Sequence, residues 1–167
     1  HGYDDPRKNH NQIKDIINFL IKHSDLTINF CGNFTKKILP IDYKTNFPNL
    51  NNFFFIKEEV KINKFYYQSN HILFLSKQDN SPNQIMEAMS NGSIIIAFDN
   101  FFTREHIIDN HNGFLIPNNL SNYEIYLKII SIFKNSNNKK ISINAYKYAK
   151  SNFSSKKMAQ QYSKLLK

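Results

Sequence analysis

Residues His71–Asn100 read HILFLSKQDNSPNQIMEAMSNGSIIIAFDN, and the order of signals in this stretch decides the fold. An apolar run, His71–Ser76, enters a polar loop, Lys77–Ser81. Ser81-Pro82 then opens a helix, because a hydroxyl suits the N-cap and proline at the first helical position forfeits no hydrogen bond. Ile85, Met86, Ala88 and Met89 supply the apolar side of that helix. Asn91-Gly92 ends it, since glycine tolerates a left-handed exit. Ser93–Phe98 (SIIIAF) follows as a continuous apolar strand, the kind buried on both faces of a sheet.

The same alternation extends outward in both directions and argues for a parallel α/β sheet. Upstream, Asn11–His23 places Ile13, Ile16, Ile17, Leu20 and Ile21 at helical spacing, and Leu26–Gly32 alternates as a strand running into a turn. Pro40 and Pro48 oppose a long helix within Ile38–Asn52, which is otherwise without a clear pattern. Asn52–Ile56 (NFFFI) is expected to be a buried strand, and Glu58–Gln68 a short helix with Phe65 and Tyr66 inward. Downstream, Glu105–Asn110 is expected to form a short helical turn closed by Asn112-Gly113, and Phe114–Ile116 a last strand ending at Pro117. Ser121–Asn135, Lys139–Asn152 and Ser154–Leu166 read as helices. In the middle one Lys139, Lys140, Lys147 and Lys150 share one arc and Ile141, Ala145, Tyr148 and Ala149 the other. Residues 1–167 are thus expected to form one Rossmann-like domain, a parallel sheet with helices on both faces and a basic helical tail from about residue 120 packed on it.

A chain of 167 residues with 41% hydrophobic content has room for one ordinary core. One cysteine, Cys31, excludes a disulfide framework and a Cys-rich zinc site, and suits a small buried hydrophobe at a strand end. His10, His23, His71, His106 and His111 lack metal-ligand spacing, so no metal is expected. There is neither a G-x-G-x-x-G nor a G-x-S-x-G pattern, which leaves a nicotinamide site and a hydrolase triad unsupported. No run approaches a membrane span and no secretory signal is read, so the expected compartment is the cytoplasm. The net charge of +9 is lopsided: from Leu120 onward there are ten lysines and one acid, Glu124, leaving 12 bases and 12 acids before it. Solvated helix faces account for such a tail, and so does peripheral contact with an anionic membrane. Nucleic acid is not expected, because no RNA- or DNA-binding motif accompanies the charge.

The loop–helix junction Ser76–Gly92 lies at the carboxyl edge of the sheet, where open α/β folds bind ligands. Backbone N–H groups of Asn83, Gln84 and Ile85 would face an anion there, aided by the helix dipole, while Pro82 donates none. Asp79 and Glu87 flank that site. Carboxylates do not bind anions, but they accept hydrogen bonds from the hydroxyls of a sugar and a ribose on either side of a phosphate. Arg7 and Lys8, in the loop DDPRKN, would supply opposing positive charge.

Asp79–Asn100, followed by REHIIDNHNGFLIP at Arg104–Pro117, resembles the C-terminal, nucleotide-sugar-binding domain of the retaining group 1 glycosyltransferases, which build bacterial capsules and lipopolysaccharides. Asp79-x(7)-Glu87 running into Glu87-Ala88-Met89-Ser90-Asn91-Gly92 is similar to the family's E-x(7)-E and EAMA-x-G pattern, with Asp in the first place. Pro6-Arg7-Lys8-Asn9 is similar to the loop whose basic residue grips the donor diphosphate, and FSSKKMAQQYSKLL (Phe153–Leu166) resembles the last family helix. Phe101-Phe102 and Lys57 stand where the family carries glycines. The resemblance implies one half of a GT-B fold, two Rossmann-like domains facing across a cleft. It implies that Glu87 binds ribose hydroxyls, Asp79 contacts the transferred sugar, and the amides of Asn83 and Gln84 approach sugar or diphosphate. Lys8, with Arg7, would neutralise the leaving phosphates. In this reading Asp79 and Glu87 are the catalytic acids, and Arg7, Lys8, Asn83, Gln84 and Glu87 bind substrate. No cofactor or metal is required beyond the nucleotide-diphosphate sugar itself. The acceptor, a glycan or lipid-linked molecule, belongs to an N-terminal domain that this chain is expected to lack, so the chain is read as a fragment. Arg104 and Glu105 either touch the donor, as in the matching family loop, or serve as helix caps and surface pairs. Two rivals remain at this stage, an epimerase-like GT-B domain and a non-enzymatic basic module binding membrane or nucleic acid.

Overall fold

The computed structural model describes residues 9–23, 27–31, 50–53, 59–78, 83–153 and 163. In chain order the elements are α1 (His10–His23), β1 (Ile28–Cys31), β2 (Leu50–Phe53), α2 (Glu59–Tyr67), β3 (His71–Phe74) and α3 (Asn83–Ser90). They continue with β4 (Ile94–Phe98), α4 (Phe101–Arg104), β5 (Gly113–Ile116), α5 (Asn122–Phe133) and α6 (Asn138–Asn152).

The fold is organised around β4, whose five residues are all buried. Successive side chains leave a strand on opposite faces. Ile94, Ile96 and Phe98 accordingly enter one apolar cluster, and Ile95 and Ala97 another. β3 and β5 flank β4, both parallel to it, with Ile72 opposite Ile95 and Ile96 opposite Phe114. α1 and α5 cover the first face through Ile16, Leu20, Ile125, Tyr126, Ile129 and Ile132. α2, α3 and α6 cover the second through Tyr66, Ile85, Ala88, Met89, Ala145 and Ala149. This is the three-layer, Rossmann-like α/β arrangement expected. β1 and β2 form a second parallel pair, Ile28 opposite Leu50 and Cys31 opposite Phe53, and Ile28 packs against the first cluster.

Helix ends follow from local chemistry. Gly92 has φ +78°, its N–H donates to Met89 O, and the Ser93 N–H reaches Ala88 O at 3.1 Å. That pair of bonds is a Schellman closure of α3, which only a left-handed residue completes without strain. α5 begins with Ser-x-x-Glu: Glu124 N–H donates to Ser121 Oγ, and Ser121 N–H donates to Glu124 Oε2 at 2.8 Å. The outer arc of α6 exposes Lys139, Lys140, Lys147 and Lys150, while Ile141, Ala145 and Ala149 are buried, as the periodicity predicts.

Two expectations move. The strand expected from Asn52 already begins at Leu50, where the main chain pairs with Ile28 of β1; residues 54–56 of the expected run lie outside the described residues. The helical turn expected at Glu105–Asn110 lies earlier, at Phe101–Arg104, because Asn100 caps it: its Oδ1 accepts the Thr103 N–H, and Thr103 Oγ1 accepts the Asn100 N–H. Residues 105–112 are instead a turn held by buried Asn112, whose side chain accepts the Ile108 N–H at 2.7 Å and donates to His106 O at 3.1 Å. Ser81-Pro82 and the helix expected at Ser154–Leu166 lie outside the described residues, save for Ser163, which is helical.

Candidate functional site

Three asparagine side chains bond main-chain carbonyls at the carboxyl ends of β3 and β4, and two of them join neighbouring strands. Asn9, directly after Lys8, is 7% exposed, has φ 58°, and donates from Nδ2 to Leu75 O at 3.3 Å and to Gln12 Oε1 at 2.7 Å. Its own carbonyl accepts the Ile13 N–H, so it also caps α1. Asn100 Nδ2 lies 3.4 Å from both Ser76 O and Lys77 O, linking the end of β4 to the loop after β3. Asn118 Nδ2 donates to Asp99 O at 2.8 Å, linking β5 to β4. Main-chain carbonyls at a sheet edge have lost their ladder partners and need donors. A side-chain amide supplies one without adding charge. Thr103, fully buried, reinforces the corner by donating from Oγ1 to Phe98 O at 2.6 Å.

α3 starts at this edge. Its inner side is Ile85, Ala88 and Met89, all fully buried, while Asn83, Gln84 and Glu87 are exposed. The spacings i, i+4 and i, i+3 put those three on one face. The positive end of the helix dipole lies at this end of α3, with Glu87 about one turn into the helix from Asn83. Glu87 Oε2 accepts a hydrogen bond from the Tyr66 hydroxyl at 3.0 Å. Three of the six site residues named from sequence are therefore brought together on one helix. Arg7, Lys8 and Asp79 lie outside the described residues, as does the Cys31 side chain.

Arg104 pairs with Asp99, Nη2 to Oδ2 at 2.8 Å and Nε to Oδ1, and the guanidinium pulls the Asp99 carboxyl below its ordinary range. Arg104 is a surface pair, and an exposed pair of this kind contributes little to stability. Glu105 is exposed, and its carbonyl accepts from the Tyr148 hydroxyl at 3.2 Å. Among the described residues no group of three or more His, Cys, Asp or Glu side chains converges as a metal site requires. Sequence reasoning placed Tyr66 inward, as it is, and Asn9 in the Pro6–Asn9 motif without assigning either a bond, and it passed over Asn100, Thr103 and Asn118. In an asparagine-rich chain only the Asn-x-x-Thr spacing of 100–103 carried a usable capping signal.

A family model of the glycosyl transferases, group 1, matches residues 2–150. The chain belongs to that family. No curated protein matches it in sequence. Among solved structures it resembles the C-terminal domain of a group 1 glycosyl transferase from Francisella tularensis, with 21% identity and a TM-score of 0.72 over 90% of this chain and 82% of that one. It also resembles the pneumococcal O-GlcNAc transferase solved with UDP and GlcNAc, with 19% identity and a TM-score of 0.76 over 96% of this chain and 33% of that one. The Anabaena protein HepE, solved with UDP, gives 18% identity and a TM-score of 0.77 over 97% of this chain and 46% of that one. At these identities the likenesses speak for the fold, a GT-B glycosyltransferase domain. The chain spans a third and under half the length of the last two.

Proposed function

We propose that this group 1 domain holds the donor of a retaining glycosyltransferase, which moves a sugar from a nucleotide-diphosphate sugar to a glycan or lipid-linked acceptor in cell-surface polysaccharide synthesis. The observation that carries the reading is the exposed face Asn83, Gln84 and Glu87 at the start of α3, set where three strands end. An anion at the α3 N-terminus and a hydroxyl-bearing ring against Glu87 are what that face fits chemically. Lys8 and Arg7, which directly precede Asn9 in the chain, would neutralise the diphosphate. Asp79 would receive the sugar on the other side of the phosphates. Departure of the diphosphate is then stabilised by fixed donors and positive charge without a metal, and the leaving phosphate takes the acceptor's proton.

The acceptor is met, in this reading, by a second domain. The relatives' bound UDP supports a nucleotide donor. The outer arc of α6 supports a peripheral seat on the cytoplasmic membrane face. It carries Lys139, Lys140, Lys147 and Lys150 with no acid, and Ile143 and Tyr146 lie exposed among them. No helix among the described residues is long and apolar enough to cross a membrane.

The test is calorimetric titration with UDP, GDP, ADP and CMP, followed by Glu87→Ala against the nucleotide that binds best. Loss of one charge-assisted hydrogen-bond acceptor should weaken binding about 10- to 100-fold. Unchanged affinity would remove Glu87 from the site.

A further inference from the structure

We infer that Tyr66 is a positioning residue for Glu87, and that this pair sets how strongly the site prefers a ribonucleotide over its 2′-deoxy form. The inference rests on the reading of Glu87 as the ribose-binding carboxylate, and the experiment below separates the two.

Tyr66 is 6% exposed although its chain neighbour Tyr67 is 81% exposed. Its ring belongs to the apolar cluster that includes Ile85, Ala88 and Met89 of α3, and it stands edge-on to Phe65 with centroids 5.7 Å apart. The backbone is fixed as well. The Tyr66 carbonyl accepts from Ser93 Oγ at 2.9 Å and from the Ser69 N–H at 3.0 Å, and Ser93 is itself buried at the start of β4. The one polar atom of this anchored ring, the hydroxyl, meets Glu87 Oε2 at 3.0 Å.

An exposed glutamate on a helix samples several rotamers, and ordering it when a ligand arrives subtracts from affinity. A donor on a rigid ring removes that cost beforehand. A hydrogen bond to an ionised carboxylate is among the stronger kinds, so one suffices to select a rotamer. It uses a single lone pair of Oε2, leaving Oε1 and the remaining Oε2 lone pair to accept two more protons. Two vicinal hydroxyls present that demand, and a 2′-deoxyribose presents half of it. A fixed carboxylate feels the missing hydroxyl in full. A mobile one can turn to water and conceal the loss.

The experiment measures binding of UDP and 2′-deoxy-UDP, and of GDP and 2′-deoxy-GDP, to the protein and to its Tyr66→Phe and Glu87→Gln variants. Tyr66→Phe keeps the ring and removes only the donor, so the fold should survive, with circular dichroism as the check. The expected result is a loss of about three- to tenfold in ribonucleotide affinity, with a smaller loss for the deoxy form, so that the ribo/deoxy ratio falls toward that of Glu87→Gln. A merely structural tyrosine would lower the melting temperature and leave the ratio unchanged, and that outcome overturns the positioning role. Glu87→Gln without effect on any of the nucleotides would overturn the ribose assignment, and the inference with it.

Discussion

Asn9 is held at the sheet edge by two separable means, its backbone conformation and its side-chain amide, and two substitutions separate them. Its φ of 58° is left-handed, a region that costs a residue with an ordinary Cβ roughly 1–2 kcal/mol and that asparagine enters more readily. Its amide bonds Gln12 Oε1 at 2.7 Å and the buried carbonyl of Leu75 at 3.3 Å, contributions of about 0.5–1.5 kcal/mol each, the longer at the lower end. Asn9→Ala loses both bonds and meets the backbone penalty, and should cost roughly 2–4 kcal/mol. Asn9→Gly loses the same bonds but accepts φ 58°, at the expense of about 0.5–1 kcal/mol of added freedom in the unfolded chain, and should cost about 1.5–3 kcal/mol. Urea denaturation at constant m-value reads the order Asn, Gly, Ala in falling midpoint. In the proposed donor site both variants should also lose nucleotide affinity, because Asn9 directly follows Arg7 and Lys8 in the chain and is no longer bonded to Leu75 O. A glycine variant no more stable than the alanine one would show that the left-handed conformation is not what asparagine supplies. Unaltered affinity in both would detach Asn9 from the donor site.

Gly113→Ala should destabilise by about 1–3 kcal/mol, since an added Cβ would lie 3.0 Å from the Ile95 carbonyl oxygen and 3.0 Å from Ile107 Cγ2; a shift in urea midpoint checks it. His71 sits against Phe133 with centroids 4.8 Å apart, its Nε2 is buried without a partner among the described residues, and burial lowers its pKa from 6.5. The unfolded chain then binds the proton more readily, so the His71 contribution is whole above pH 6.5 and is lost as pH falls through the folded value. Melting temperature should drop on acidification across that range and drop less in His71→Phe; an equal slope in the variant would exclude His71 as the cause. His106, lowered by burial in the same direction, accounts for residual slope. For the α6 face, replacing Lys139, Lys140, Lys147 and Lys150 by Gln should cost about 1 kcal/mol per lysine in binding to phosphatidylserine vesicles at low salt, and vesicle sedimentation indifferent to charge and salt would reject a membrane seat.

The fold was legible where one physical requirement decides the sequence. Ile94–Phe98 must be apolar on both faces, so the run declares itself, and the closure of α3 at Gly92 declares itself through the only residue type that takes φ +78° freely. α5 and α6 were legible from capping and periodicity. β2 begins two residues earlier than read because Leu50-Asn51 join the strand through pairing with β1, a long-range fact absent from their own composition. α4 was displaced because the helical start depends on Asn100, one asparagine among many, whose cap with Thr103 places the helical turn at Phe101–Arg104. Asn83, Gln84 and Glu87 followed from the reading of a helix opening with its main-chain amides and from the family resemblance. Asn9, Asn118 and Tyr66 did not, because each acts on an atom distant in sequence: Leu75 O, Asp99 O and Glu87 Oε2.

The position of the α3 face is determined largely from its far end. Ala88 on α3 and Ala145 and Ala149 on α6 are buried in one cluster, and side chains this small let two helices approach closely. Ser142 Oγ of α6 donates to Gly92 O at 2.6 Å, fastening the Schellman turn to α6. Ser93 fastens the next residue to α2 through Tyr66 O and Ser69 O. With its carboxyl end held on two sides and its inner face packed under β4, α3 has no inexpensive way to rotate or slide. Packed interiors respond to displacement by strain and not by yielding. A misplacement of about 1 Å at a reacting centre costs on the order of a hundredfold in rate. The α3 face proposed to meet the donor therefore depends on alanines and serines packed behind it and at its far end, and α6, whose outer face carries exposed lysines, is also the helix that holds that face in register.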